Sequence, residues 1–166
     1  IAGVKPYNIM LFDNGTYVGA MGCALRLMDD NTTSLVFDFG HTNTKRCVVT
    51  KGISEIKEFS ALESEKSRYV NVVKDGENGF EDALKLHKHI VKIIVETYKS
   101  QSKFFDLSDK IIISIANYNA GGRLNSVHGG YAKLCELGED YSKILVEDLS
   151  SELHRKVKIK LVHDGT

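Results

Sequence analysis

The sequence has 166 residues, which fits one domain and leaves little room for two. Apolar residues account for 42% and charged residues for 27%, and this ordinary globular composition excludes disordered, collagen-like and coiled-coil chains. Lys and Arg together number 22, as do Asp and Glu, so the formal net charge is zero. Because a net basic field is absent, we expect no nucleic-acid partner.

The cysteines and the lengths of the apolar runs indicate the cellular compartment of the protein. Cys23, Cys47 and Cys135 are odd in number and no two are spaced as CxxC, which argues against a disulfide framework or a zinc site. This usage favours a reducing, cytoplasmic location. No apolar run reaches the roughly 18 residues of a membrane span. Residues 1–11 lack the pattern of a signal peptide, although a leader removed upstream stays open.

The first half of the chain predicts a small-residue helix followed by three strands. Residues 9–12 could form a short strand, and residues 18–28, rich in Gly and Ala, are typical of a buried, closely packed helix. We take residues 1–33 as an N-terminal elaboration. Short β-rich runs at 34–39, 45–50 and 53–62 then predict an antiparallel meander.

The second half predicts two crossovers of helix and strand. Apolar periodicity indicates helices at 80–98 and 141–154, and β-branched runs indicate strands at 110–116 and 156–162. Between them, residues 117–130 form a long Gly- and Asn-rich loop. The predicted fold class is therefore α/β, a mixed sheet of about five strands in the order β-β-β-α-β-α-β, flanked by helices.

Two segments place an aspartate at a strand end beside Gly and Thr. Asp38 lies in the segment 37–45, and Asp164 lies in the segment 161–166. A strand–turn–strand of this composition can direct backbone N–H groups and hydroxyls at phosphate oxygens. Asp38 beside phosphates suits a Mg²⁺ ion. Asp164 would complete that metal site or accept a proton from an attacking hydroxyl.

Residues 36–45 resemble the phosphate-1 motif of the actin-like ATPase superfamily, in the sugar-kinase version D-x-G-G-T-N-x-K. Residues 162–166 resemble the phosphate-2 motif, or the strand end that bears the catalytic aspartate of sugar kinases. The resemblance covers residues 35–166 and implies a ribonuclease-H-like lobe at 34–166, part of a two-lobe protein. The adenosine site would belong to a second lobe of the same chain. The helix at 18–28 also resembles a Gly/Ala-rich helix near the end of many sugar kinases, where it would be out of order.

The resemblance also implies roles for individual residues. ATP and Mg²⁺ would be the cofactors, with Asp38 holding the metal and Asp164 acting as the base toward a sugar hydroxyl. Residues near the phosphates would be Gly40, Thr42, Asn43, Thr44, Lys45, Gly165 and Thr166. Part of the substrate site would be formed by Asn117, Asn119 and Arg123. His41 departs from the pattern, since sugar kinases usually have Gly there.

The leading hypothesis is therefore ATP-dependent phosphoryl transfer to a hydroxyl of a sugar-like small molecule, with oligomerisation left open. A first alternative is a non-catalytic ATP-binding protein of the actin, chaperone or regulatory kind. A second is a ribonuclease-H-like nuclease, which would need Glu58 or Glu63 near the two aspartates. His87 and His89 do not share a helix face, so they predict no metal site. Lysines on that helix predict a solvated face: Lys85, Lys88, Lys92 and Lys99.

Overall fold

The computed structural model describes residues 15–72, 79–117, 119–121, 123–125 and 129–163. Its α-helices are α1 (Val18–Leu27), α2 (Gly79–Gln101) and α3 (Tyr141–Glu152), and short 3₁₀-helices span Gly15–Tyr17 and Ala132–Leu137. Its strands are β1 (Thr32–Phe39), β2 (Asn43–Lys51), β3 (Ile56–Lys66), β4 (Lys110–Ile115), β5 (Asn119–Ala120), β6 (Arg123–Leu124) and β7 (Lys158–His163).

The main sheet has five strands in the order β3-β2-β1-β4-β7. β1, β2 and β3 form an antiparallel meander, whereas β4 and β7 run parallel to β1. The two parallel neighbours are reached through α2 and α3, because a parallel connection needs a crossover element. β5 and β6 form a separate two-stranded ladder beyond β4.

One face of the sheet is covered by α2 and α3. Alternate residues of β1, from Leu35 through Phe37 to Phe39, are almost completely buried there. They pack against the apolar stripes of the two helices, including Ile90 on α2 and Leu145 on α3. This is the larger of the hydrophobic cores, and it fixes the plane of the central strands.

The opposite face of the sheet is covered by α1. Buried residues recur at helical spacing along it, at Ala20, Cys23 and Ala24, followed by Met28 just beyond its end. They pack on the other set of sheet side chains, Val36, Cys47, Val49 and Ile112. Residues 20–28 of the segment that we set apart as an elaboration therefore share a core with β1, β2 and β4.

The predicted order and class of elements match the observed main sheet, while several boundaries differ. β3 extends from residue 56 to residue 66, whereas the sequence predicts 53–62. The predicted loop at 117–130 contains β5 and β6, and the 3₁₀-helix at Ala132–Leu137 was not predicted. The predicted strand at 9–12 lies outside the described residues. Among the residues described, no helix has the length and apolarity needed to cross a membrane.

Cys47 lies in the core, as its place in a predicted strand indicates. Its side chain is fully buried on β2, and burial raises the pKa of the thiol to about 12, with the charge of Asp38 as the next cause. A thiol held protonated is a poor nucleophile. Asp38 follows Val36 by two residues on β1, and Val36 packs under α1, so the Asp38 side chain lies on the α1 side of the sheet.

Candidate functional site

The carboxyl ends of three parallel strands meet at one edge of the sheet. Asp38 on β1 is the register partner of Ser114 on β4, and Ser114 is the partner of Val162 on β7. Residues paired in register point to the same face, so the three side chains form one row on the α1 side. Asp164, with Gly165 and Thr166, follows β7 directly in sequence and lies outside the described residues.

Asp38 and Lys45 form an ion pair within this row. They are register partners across the β1–β2 ladder, and Lys45 Nζ lies 3.3 Å from Asp38 Oδ2. Their side chains are 32% and 21% exposed for Lys45 and Asp38, respectively, so both charged ends can be reached by a ligand. Strand alternation therefore directs Lys45 to the face of Asp38, a question that the sequence left open.

A tight hairpin, residues 40–43, joins β1 to β2 beside Asp38. The side chains of His41, Thr42 and Asn43 are exposed, so the loop is open to solvent. Gly40 donates its N–H to the carbonyl of Asn43 at 3.2 Å, and a Cβ at Gly40 would lie only 3.0 Å from that oxygen. The glycine at this position therefore permits a close turn that a side chain would crowd.

Two distant hydroxyls hold the hairpin. The Gly40 carbonyl accepts hydrogen bonds from Ser67 Oγ at 2.7 Å and from Tyr131 OH at 2.9 Å. The backbone N–H of Ser67 also donates to the carbonyl of Thr42 at 3.0 Å. Thr44 is buried, and its hydroxyl lies 3.5 Å from Ser67 Oγ. The hairpin backbone is thus fixed before any ligand binds, which lowers the cost of ordering it.

Removing either clamping hydroxyl, in Ser67→Ala or Tyr131→Phe, is expected to lower the free energy of unfolding by about 1 kcal/mol. The double variant is expected to lose more unfolding free energy than the two single variants together, because each single variant still leaves the Gly40 carbonyl one hydroxyl partner. Urea denaturation of the double-mutant cycle measures this coupling. Ser102→Ala, which removes an exposed hydroxyl that donates to the Lys99 carbonyl, is the control. If the losses of the two single variants simply add up in the double variant, the two hydroxyls do not support the Gly40 carbonyl jointly.

Two glycines lie next to Tyr131, where its segment meets the one that carries Ser67. A Cβ at Gly130 would overlap the backbone carbonyl of Val70, so only glycine fits where these two segments touch. Gly129 has a positive φ of 81°. Two residues further on, Tyr131 packs edge-on against the ring of His41 at 5.7 Å between centroids. The exposed His41 ring therefore packs against Tyr131, one of the two residues whose hydroxyls hydrogen-bond to the Gly40 carbonyl.

The predicted substrate residues lie beyond β4, with Asn117 after its end, Asn119 on β5 and Arg123 on β6. The amide of Asn117 is buried and pairs with the backbone of Asn125, donating to its carbonyl at 3.1 Å and accepting from its N–H at 2.9 Å. Arg123 is exposed, and its guanidinium lies 3.9 Å from a Glu139 carboxylate oxygen. Asn119 pairs with Leu124 in the small ladder. The substrate roles of Asn117, Asn119 and Arg123 stay predictions.

The carboxylates that a nuclease would require do not converge here. Glu58 and Glu63 are exposed on β3, which is separated from β1 by β2. Within the described ranges, no group of three or more His, Cys, Asp or Glu side chains could hold a metal ion. The described part of the site therefore offers a single carboxylate, Asp38.

Sequence reasoning missed the residues that support the hairpin. Ser67 and Tyr131 are distant in sequence from Gly40, and neither belongs to a phosphate motif. The Gly129–Gly130 pair before Tyr131 was the one sequence feature that indicated this support, because adjacent glycines mark a place of close backbone approach. No periodicity or local motif connects Ser67 with the hairpin.

Comparison with known proteins supports the fold. No protein-family model and no curated protein matches the chain. Among solved structures, the hexokinase from Schistosoma mansoni complexed with glucose has a TM-score of 0.51 and 15% identity. That match covers 81% of this chain and 29% of the hexokinase, so the chain spans less than a third of that enzyme. The likeness confirms the predicted α/β fold class.

Weaker matches are found to two other solved structures. The PPX-GPPA enzyme of Aquifex aeolicus has a TM-score of 0.41 and 11% identity, over 78% of this chain and 36% of that one. RuvC of Thermus thermophilus has a TM-score of 0.36 and 14% identity, over 78% of this chain and 63% of that one.

Proposed function

We propose that the edge bearing Asp38 and the β1–β2 hairpin binds the phosphates of ATP with Mg²⁺. The intact protein would then transfer the γ-phosphoryl group to a hydroxyl of a sugar-like small molecule. The observation that carries this proposal is the half-buried Asp38 carboxylate beside an exposed, braced hairpin at the carboxyl end of a central strand. In open α/β sheets, ligands bind outside the carboxyl ends of the strands.

The donor set at this edge fits a Mg²⁺ ion that arrives with a nucleotide. Mg²⁺ keeps several waters and is commonly held by one or two carboxylates together with substrate phosphates. Asp38 alone would make a poor site for the free ion, whereas Asp38 plus phosphate oxygens completes the required oxygen ligands. When bound, the ion would neutralise charge on the phosphates.

The residues of this chain would contribute mainly by positioning charge. Thr42 is exposed in the hairpin, where its hydroxyl can donate a hydrogen bond to a phosphate oxygen. Lys45 supplies a positive charge on the same face as Asp38. A loop already fixed by Ser67 and Tyr131 would hold these groups without reorganisation as the reaction proceeds.

The remaining roles rest on the family resemblance. Asp164 would accept the proton of the attacking hydroxyl, and Gly165 and Thr166 would adjoin the phosphates. Because the chain spans 29% of the hexokinase that it resembles, a second lobe is proposed to complete the nucleotide cleft. Within that cleft the acceptor hydroxyl would face both Asp164 and the γ-phosphate.

The proposal is tested by measuring ADP release from Mg²⁺ and ATP with the intact protein, alone and with a panel of hexoses and pentoses. We expect at least one sugar to raise ADP release, with chelation of Mg²⁺ abolishing the effect. Saturable ATP binding that no sugar accelerates would favour the non-catalytic alternative. Failure to bind ATP at all would overturn the nucleotide site itself.

A further inference from the structure

A second concave site lies on the α2 side of the molecule, away from the face that carries Asp38. It is a pocket of about 300 Å³ between α2 and the segment after β3. The described residues that line it are all basic or aromatic: Arg68, Tyr69, Lys85, Lys88, His89 and Lys92. On a chain with zero formal net charge, this concentration of cations in one concavity is not explained by composition.

Two of the lysines that line this pocket are paired with carboxylates at its margin. Lys85 pairs with Glu81 at 3.0 Å and with Asp82 at 3.6 Å along α2. Lys92 lies 3.8 Å from Glu96, and Glu65 pairs with Arg46 at 2.8 Å. None of these carboxylates is among the described residues that line the pocket. Lys85 and Lys92 are therefore partly neutralised, and Arg68 and Lys88 supply most of the positive charge among the described residues that line the pocket.

The backbone at Tyr69 is held in an unusual conformation. Its φ is 62°, in the left-handed region that a bulky residue seldom adopts. This conformation sets the Tyr69 ring edge-on to the His89 ring, with 5.8 Å between centroids. Strain of this kind persists only where the surroundings fix it, and it concentrates at ligand-binding positions.

His89 supplies a solvent-shielded nitrogen among the residues that line the pocket. Its Nε2 atom is shielded from solvent and has no hydrogen-bond partner among the described residues. Burial lowers the pKa of His89, and the charge of Arg68 and then that of Lys92 lower it further against the opposing effect of Glu65. A buried polar atom without a partner is costly, and a ligand that supplies one relieves that cost.

We propose that this pocket binds a phosphate group, either of free inorganic phosphate or of a small phosphorylated molecule. A compact, doubly charged oxyanion matches the converging cations, and its oxygens accept hydrogen bonds from the Arg68 guanidinium and the lysine ammonium groups. An aryl or sugar part attached to the phosphate would lie against the exposed Tyr69 ring. The site lies on the opposite side of the sheet from Asp38, although Arg68 directly follows Ser67, and phosphate binding here is proposed independently of the phosphoryl-transfer function.

The test is a titration of the intact protein with sodium phosphate, monitored by the imidazole NMR signals of His89 at constant ionic strength. We expect a saturable shift and a rise in the His89 pKa, because the bound anion offsets the charges of Arg68 and Lys92. The same titration with phenyl phosphate separates the two sources. Equal affinity for phosphate and phenyl phosphate indicates that the site binds the free ion. Tighter binding of phenyl phosphate indicates that the site binds a phosphorylated molecule.

Paired charge removals provide the control. Arg68→Gln combined with Lys88→Gln is expected to weaken phosphate binding by about tenfold or more, given the strength of charge-assisted hydrogen bonds. Lys99→Gln combined with Lys103→Gln removes the same charge outside the pocket and is expected to leave affinity unchanged. If the Arg68→Gln and Lys88→Gln double variant does not fold, Lys88→Gln alone is tested for weaker phosphate binding. A shift reproduced by chloride, or equal weakening in both doubles, would overturn the proposal.

Discussion

Asp38→Asn in the intact protein is expected to lower Mg²⁺- and ATP-dependent turnover by about a thousandfold. The estimate follows because metal-mediated charge stabilisation is worth several kcal/mol, and each 1.36 kcal/mol is tenfold in rate. Asparagine keeps the size of the side chain but loses the charge that a Mg²⁺ ion needs. The fold should persist, since the ion pair with Lys45 is partly exposed and such pairs contribute at most about 1 kcal/mol.

The control for this variant is Asp30→Asn. Asp30 is half-exposed and pairs with Lys51 at 2.8 Å, so the substitution also removes one carboxylate from an ion pair. We expect its turnover to equal that of the unmodified protein. Asp164→Asn provides the second comparison, because loss of a general base should stop transfer while ATP still binds. Unchanged turnover in Asp38→Asn would contradict the metal role proposed for this carboxylate.

Gly130→Ala is expected to lower the free energy of unfolding by about 3 kcal/mol, in the upper range for overpacked sites. The added methyl would collide with the Val70 carbonyl, which is backbone and cannot rotate away as a side chain could. One segment must therefore shift. Since Val70 follows Ser67 and Gly130 precedes Tyr131, either shift also disturbs the two hydroxyls on the Gly40 carbonyl.

Gly22→Ala is the matched control for this prediction. Gly22 lies on an exposed part of α1, and among the described residues no heavy atom beyond its chain neighbours and its own helix backbone lies within 4 Å of the added methyl. Alanine there should stabilise the helix by about 0.5–1 kcal/mol. Urea denaturation of both variants measures the contrast, with opposite signs expected. A stability of Gly130→Ala equal to that of the unmodified protein would contradict the close contact.

The main sheet was predictable because its central strands have strong local signals. The β-branched run at 110–116 and the periodicity of α2 each specify one kind of element, and their order restricts the topology. β3 was harder, because it is an edge strand whose residues are all exposed or half-exposed and so lack a clear apolar alternation. Its boundaries depend on pairing with β2, which the local sequence does not encode.

The candidate site was predictable only in its strand-end motif. Asp38 and the Gly40–Asn43 turn are adjacent in sequence, so a short pattern could find them. The Lys45 ion pair depends on the β1–β2 register, and the clamp depends on Ser67 and Tyr131, which folding brings from other segments. The basic pocket shows the same limit, because Arg68 joins the α2 lysines only in three dimensions.

The placement of β1 between β2 and β4 has a consequence for how the protein is made. β1 can pair with β2 as soon as their hairpin is synthesised, and α1 precedes both, so an early unit is available during translation. Its parallel partner β4 appears only after all of α2, and β7 only after α3. Contacts of such long sequence separation form slowly. The carboxyl-end edge that flanks Asp38 is therefore expected to be the last part of the sheet to assemble.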